Sequence, residues 1–164
     1  MEKPLISSSL KGSKRVATFL EENKVKVRIF KFNESTKNSQ LAANVLGCTV
    51  AEIAKSIVFK AGDSAVVVVI SGDKRVDANK LQALLGVKVF IANAEAVRDL
   101  TGYVIGGVAP FPHDHSVLVI LDQSLTRFDN VWTASGTPNS VMQVKVDQIK
   151  EIVGVDFVDV AAHS

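Results

Sequence analysis

Two runs of β-branched residues constrain this chain more than anything else in it. Ser56-Ile57-Val58-Phe59 and Ala65-Val66-Val67-Val68-Val69-Ile70 flank the dipeptide Gly62-Asp63. Valine and isoleucine lose side-chain freedom in a helix and pack well on a pleated surface, so both runs read as strands. A continuous apolar run, unlike an apolar–polar alternation, belongs to a strand covered on both faces. Gly62-Asp63 closes the two strands into a hairpin.

The rest of the chain supplies elements to cover that hairpin. Val16, Phe19 and Leu20 have helical spacing and predict a first helix ending near Glu22. Val25, Val27 and Ile29 alternate with Lys26, Arg28 and Phe30, the pattern of a half-buried strand. Ser39 reads as the N-cap of a helix over 40–46 that stops at Gly47, and Thr49 with Glu52 reads as a capping box. Asp77 caps a helix over 78–85, stopped by Gly86, and Val87–Ile91 reads as a strand. Asn93 or Ala94 opens a helix ended by Gly102, and a strand over Tyr103–Ile105 leads into a dense glycine–proline turn. Strands follow over 117–121, 131–134 and 141–144, then a helix over 147–153 and a short strand over 157–160. No linker and no internal repeat interrupts this order. Residues 1–13 read as an N-terminal extension and 14–164 as one domain, in keeping with a length of 164 residues. Several strand pairs lie close enough for hairpins, so the expected fold is a single α/β domain around a mixed sheet rather than a purely parallel one.

Composition excludes several classes. Hydrophobic residues make up 47% and charged residues 22%, as in globular domains and unlike disordered chains. Lys and Arg total 19 against 17 Asp and Glu, a formal charge of +2, so bulk charge gives no argument for nucleic acid. Basic residues do concentrate in the first quarter, from Lys11 to Lys37, either as a solvated face or as a local phosphate-binding patch. The one cysteine, Cys48, forms no internal disulfide, and a reducing cytoplasm is the expected compartment. No Cys/His cluster has zinc-ligand spacing, no secretory signal is evident at the start, and no apolar run reaches the roughly 20 residues of a membrane span.

Four places carry candidate chemistry. Lys55 stands at the junction of a helix and a buried strand. It is either a lysine that snorkels to the surface or a positioned ammonium for a phosphate or carboxylate. Gly106-Gly107-Val108-Ala109-Pro110 combines positive-φ freedom with a stiffening proline. It is either a tight turn or a nest of backbone N–H groups for an anion or oxyanion. Ala134-Ser135-Gly136 is a small polar turn in which Ser135 lacks the Gly-x-Ser-x-Gly setting of a nucleophile. His113 and His115 flank Asp114 after the glycine loop, either as exposed loop residues or as two groups facing one ligand. The carboxylates are scattered singly, so no acid–base pair is evident.

Taken in order, these segments resemble the YbaK/prolyl-tRNA synthetase-associated domain family. Thr49-Val50-Ala51-Glu52-Ile53-Ala54-Lys55-Ser56-Ile57-Val58-Phe59 is similar to that family's lysine segment. Arg75-Val76-Asp77 with Lys80-Leu81 and Leu84-Leu85-Gly86 is similar to its next helix. Thr101-Gly102-Tyr103 leading to Gly106–Pro110 resembles its glycine–proline loop, and Trp132-Thr133-Ala134-Ser135-Gly136 its late strand and turn. The resemblance implies a twisted mixed sheet, partly barrel-like, surrounded by helices. It implies an aminoacyl-tRNA deacylase acting in trans, most often on tRNA for proline carrying a wrong small amino acid such as alanine or cysteine. Lys55 would hold the 3′-terminal adenosine or its phosphate. Gly106 and Gly107 would place loop amides against the ester carbonyl, and water or a substrate group would attack. Phe30, Val108, Pro110, His113, His115, Ala134, Ser135 and Gly136 are the expected substrate-binding residues. No metal and no cofactor is implied. The expected partners are the aminoacyl-tRNA acceptor end and prolyl-tRNA synthetase, with no DNA and no membrane, and the chain is expected to be a monomer. Phe30 stands where some cysteine-editing relatives carry tyrosine, and Pro112-His113-Asp114-His115 replaces a basic stretch found in some members. The alternative is a non-catalytic module that binds a tRNA end or nucleotide, or an adaptor to a synthetase.

Overall fold

A computed structural model describes residues 11–33 and 38–163. Most of the extension expected over residues 1–13 lies outside the described residues. Helix α1 (Gly12–Glu22) already begins at Gly12 and is followed by β1 (Arg28–Lys31), α2 (Ser39–Leu46) and a short 3-10 turn at Val50–Glu52. The hairpin β2 (Ile53–Ala61) and β3 (Ser64–Ser71) comes next, then α3 (Ala78–Leu85), β4 (Phe90–Ile91) and α4 (Ala94–Thr101). The chain closes with β5 (Val117–Asp122), a 3-10 turn at Gln123–Arg127, β6 (Asn130–Ala134), β7 (Ser140–Lys145), α5 (Val146–Val153) and β8 (Phe157–Val158).

The strands form one mixed sheet in the order β1-β7-β6-β2-β3-β5-β8, with β4 attached to β2. The β2–β3 and β6–β7 pairs are antiparallel neighbours in sequence, while β2–β6, β3–β5 and β5–β8 are parallel. The architecture is the expected mixed α/β domain. Its sheet is open, with β1 and β8 at opposite ends.

The valine run explains the layering. In β3 every residue after Ser64 is buried. Val67 and Val69 pack on one face with Val16 and Leu20 of α1, Val97 of α4 and Ile149 of α5. Val66, Val68 and Ile70 pack on the other face with Leu81 of α3. Ala42 and Ala43 of α2 cover Ile53, Trp132 and Val141 farther along the sheet. Two-sided cover is what a non-alternating apolar run requires.

Four expectations are corrected in detail. The strand expected from Val25 begins only at Arg28 and is exposed along its length, because β1 is an edge strand with β7 on one side alone. The strand expected over Val87–Ile91 shrinks to Phe90–Ile91, since the Val89 N–H donates to the Gln82 side chain of α3 at 3.0 Å. Tyr103–Ile105 is turn rather than strand: the Tyr103 N–H donates to Thr101 Oγ1 at 3.1 Å, and Val104 C=O accepts from Gly107 N–H at 2.9 Å. Asn38, not Ser39, caps α2, its side chain accepting from Leu41 N–H.

Candidate active site

Neighbouring strands part along one edge of β2. On one edge β2 pairs with β3 from Ala54 to Ala61. On its other edge it meets β6 only at Ile53 and Ala54, and β4 takes over at Phe59 and Lys60. Between these contacts opens a cleft of about 500 Å³, lined among others by Lys55, Ser56, Gly106, Val108, Ala134 and Ser140.

Local sequence places Lys55 there. The Glu52 carboxylate accepts from the N–H and Oγ1 of Thr49, each at 2.9 Å, which ends the 3-10 turn and feeds the chain directly into β2. Lys55 lies opposite Ile70 of β3, and its Nζ donates to Gly72 C=O at 3.4 Å. Gly72 is held close by its own N–H, which donates to Ile53 C=O at 2.6 Å, and a side chain there would collide with the Val50 carbonyl. Burial pushes the Lys55 pKa below that of an ordinary lysine; Asp73 works against this and Arg75 adds to it. Lys55 is thus a half-buried cation with one long hydrogen bond, able to take an anionic or strongly polar ligand.

The glycine–proline loop contributes Gly106 and Val108 to the same cleft. Gly106 has φ +85, the left-handed region. At Gly107 a Cβ would sit 2.8 Å from the Thr137 backbone, so only glycine lets the loop approach the turn after β6 this closely. The Gly107 N–H is consumed by Val104 C=O, whereas the amides of Gly106 and Val108 have no acceptor among the described residues. Behind the loop, His113 Nε2 lies 2.8 Å from Ala109 C=O; a carbonyl only accepts, so Nε2 carries the proton. The imidazole meets the Tyr103 ring edge-on at 5.3 Å, and Tyr103 Oη donates to Pro112 C=O at 2.8 Å. Arg15 lies over that tyrosine and donates to Thr101 C=O at 2.8 Å. Burial raises the Tyr103 pKa and lowers that of His113 to about 4, so both are neutral near pH 7.

The sequence-predicted residues fall into three groups. Lys55, Gly106, Val108 and Ala134 come together on the cleft wall. Near it, Ser135 Oγ lies 2.6 Å from Ser140 Oγ, which lies 3.0 Å from Thr137 Oγ1; this hydroxyl chain has no imidazole or carboxylate to activate it among the described residues. Phe30 stands at the rim, 39% exposed and in register with Val141 of the cleft wall. Gly107, Pro110, His113 and Gly136 lie away from the cleft lining. Gly107 and Gly136 allow close packing, the latter against Gly12 of α1, while Pro110 is buried in the loop and His113 braces it. His115 is exposed and makes no hydrogen bond among the described residues. Sequence reasoning passed over Ser56, Gly72, Ser140, Arg15 and Tyr103. A polar residue inside the apolar run at Ser56 was a usable signal; the others depend on long-range contacts.

A cleft built this way acts on a ligand by holding it, with a cation and two loop amides that have no acceptor among the described residues in its lining. It suits a ligand with a phosphate and a polarisable carbonyl, on a mixed α/β frame. Residues 33–152 match the aminoacyl-tRNA editing domain, and the chain belongs to that family. It is 34% identical over 124 residues to the uncharacterized protein YwhH of Bacillus subtilis (strain 168), covering 75% of this chain and 79% of that one. It is 30% identical over 160 residues to the proline–tRNA ligase of Lactobacillus johnsonii, covering 92% of this chain but only 28% of the ligase. A solved structure put forward as a trans-editing enzyme for prolyl-tRNA synthetase superposes with a TM-score of 0.84 at 31% identity, covering 94% of this chain and 99% of that one. Among the described residues no helix is long and apolar enough to cross a membrane.

Proposed function

We propose that this chain is a trans-editing hydrolase that removes a wrong small amino acid, such as alanine or cysteine, from tRNA for proline. The observation that carries the reading is that one cleft is lined by Lys55 and by Gly106 and Val108, whose amides have no acceptor among the described residues. Lys55 holds the phosphate or adenosine at the 3′ end. A loop amide donates to the ester carbonyl and takes up the negative charge that grows on its oxygen as water adds. The new bond joins water oxygen to the carbonyl carbon; the bond to the ribose oxygen breaks, and that oxygen leaves as the hydroxyl of the tRNA. An aminoacyl ester is already activated, so positioning replaces a protein nucleophile, and the reading requires no metal or cofactor. Residues 14–164 form the editing domain, working as a cytoplasmic monomer with prolyl-tRNA synthetase as partner. The similarity to ligases that carry a matching stretch, and to the structure put forward as a trans-editing enzyme, supports this setting.

Single-turnover deacylation tests the proposal, with tRNA for proline charged separately with alanine, cysteine, serine, threonine and proline. The expected result is hydrolysis of one or more mischarged species with proline spared. Tight binding of every charged species without turnover would replace the enzyme by a binding module.

A further inference from the structure

The gap in the β2 ladder leaves one residue with both main-chain groups open. Gly72 N–H donates to Ile53 C=O, which sets Ile53 and, by alternation, Lys55, Ile57 and Phe59 as the residues whose main chain faces β3. Ala54, Ser56 and Val58 face the opposite edge. Ala54 is engaged there by β6, and Val58 C=O accepts from Ala92 N–H at 2.9 Å. Ser56 falls between, and among the described residues neither its N–H nor its C=O has a partner. Its hydroxyl is buried and also unpartnered, so the main chain is what Ser56 offers to the cleft it lines.

We infer that the Ser56 main chain is the binding site for the α-aminoacyl group of the substrate, which docks as a one-residue antiparallel strand on β2. The inference rests on the deacylase reading above. A hydrogen-bonded antiparallel pair exchanges two N–H···O contacts between single residues. An α-aminoacyl ester carries the matching set: its ammonium donates to Ser56 C=O and its carbonyl accepts from Ser56 N–H. A carbonyl oxygen has two lone pairs, so a loop amide can share it. The antiparallel sense fixes the direction. The ester end lies at the N-terminal side of Ser56, beside Lys55, and the ammonium lies away from it, which separates like charges. Paired residues share a face, so the substrate side chain joins the face of Ala54 and Val108, which are both packed into the main core. Recognition through the main chain identifies any α-amino acid, while the wall beyond it limits side-chain size.

The test uses an adenosine carrying alanine through a 3′-amide, which cannot be hydrolysed as an ester. In a ¹H–¹⁵N titration of the full chain, the Ser56 amide is expected to shift with this probe and to stay put with its N-acetyl form, which has lost the ammonium. In deacylation, N-acetylalanyl-tRNA should react roughly 10- to 100-fold more slowly than alanyl-tRNA, the scale of a lost charged hydrogen bond. Ser56 pairs with Val69 of β3, but its N–H points away from β3, so Ser56→Pro removes no β2–β3 hydrogen bond and should lower the rate by a similar factor in folded protein. A Ser56 amide that ignores the probe, or folded Ser56→Pro at the native rate, overturns the inference. A Ser56 shift with the probe in a protein that hydrolyses no charged tRNA keeps the subsite and removes the deacylase.

Discussion

The two edges of β2 behave as different materials. Toward β3 the ladder runs unbroken for the length of the hairpin, between layers of buried valine. Toward β6 it lasts two residues, opens at Lys55–Ile57 and is resumed by β4. Lys55 and Ile70 face each other across the closed edge, yet one is a half-buried cation bordering the cleft and the other is fully buried. The lesson is a division of labour within one strand. A completed ladder stabilises, and an incomplete one leaves donors and acceptors for a ligand, at the cost of local stability. Substitutions on either side should therefore separate activity from stability.

The largest effect is expected at Lys55. Lys55→Ala removes the cleft's cation and should lower single-turnover deacylation by about 100- to 1,000-fold, the scale of losing one preorganised electrostatic contact. Its melting temperature should stay within about 3 °C of the native value, because the side chain makes one long hydrogen bond and its burial disfavours the charge. A large drop in melting temperature would show that the open edge is structural after all.

Ile70→Ala should do the reverse. Ile70 is fully buried beneath α3 with Leu81 and Val68. Emptying that site should cost about 2–5 kcal/mol and lower the melting temperature by roughly 5–15 °C. The rate per folded molecule should change far less than with Lys55→Ala. Thermal unfolding and deacylation measured on the same preparation check both halves of the contrast.

The same contrast sets how far the sequence could be read. The closed edge was legible because the valine run, the Gly62-Asp63 turn and the caps at Asp77, Asn93 and Gly86 are local signals, and the structure realises each one. The open edge was legible in Lys55, in Gly106 and Val108 of the glycine–proline loop, and in Ala134. That they face one cleft depends on β2 leaving β6 after Ala54, a fact of pairing between residues far apart in the chain. Local signals failed in the same way at Tyr103, whose N–H and ring are claimed by Thr101 and Arg15. His113 and His115 are alike in sequence context, and only tertiary packing half-buries the first behind the loop and leaves the second in solvent.

The half-buried His113 gives the open side its own pH signature. The His113 pKa is lowered from 6.5 to about 4 in the folded protein, chiefly by burial. As pH falls below 6.5 the unfolded chain takes up a proton that the folded chain refuses until about pH 4. Stability is therefore complete above pH 6.5 and declines toward pH 4, by about 3 kcal/mol from this group. His113→Gln, whose side-chain N–H can still donate to Ala109 C=O, does not titrate there and should flatten this part of the profile. Denaturant titrations between pH 4 and 7 on both proteins decide it; identical slopes would remove His113 from the account.

The smallest effect is expected where the two sides meet, at Asp73. Its carboxylate accepts two hydrogen bonds from Arg127, at 2.8 and 3.1 Å, and lies close enough to Lys55 to favour the ammonium. The pair is solvent-exposed, and such pairs contribute about 0–1 kcal/mol, so Asp73→Asn should move the melting temperature by no more than about 4 °C. The more telling change is electrostatic. Removing the anion leaves burial and Arg75 acting on Lys55 unopposed, so the Lys55 pKa should fall further below the ordinary lysine value. An NMR titration of the lysine ε-carbon measures that shift directly. A Lys55 pKa that does not fall would mean that Asp73 stabilises the turn after β3 without reaching the cleft, and that the closed and open edges are electrically as well as mechanically separate.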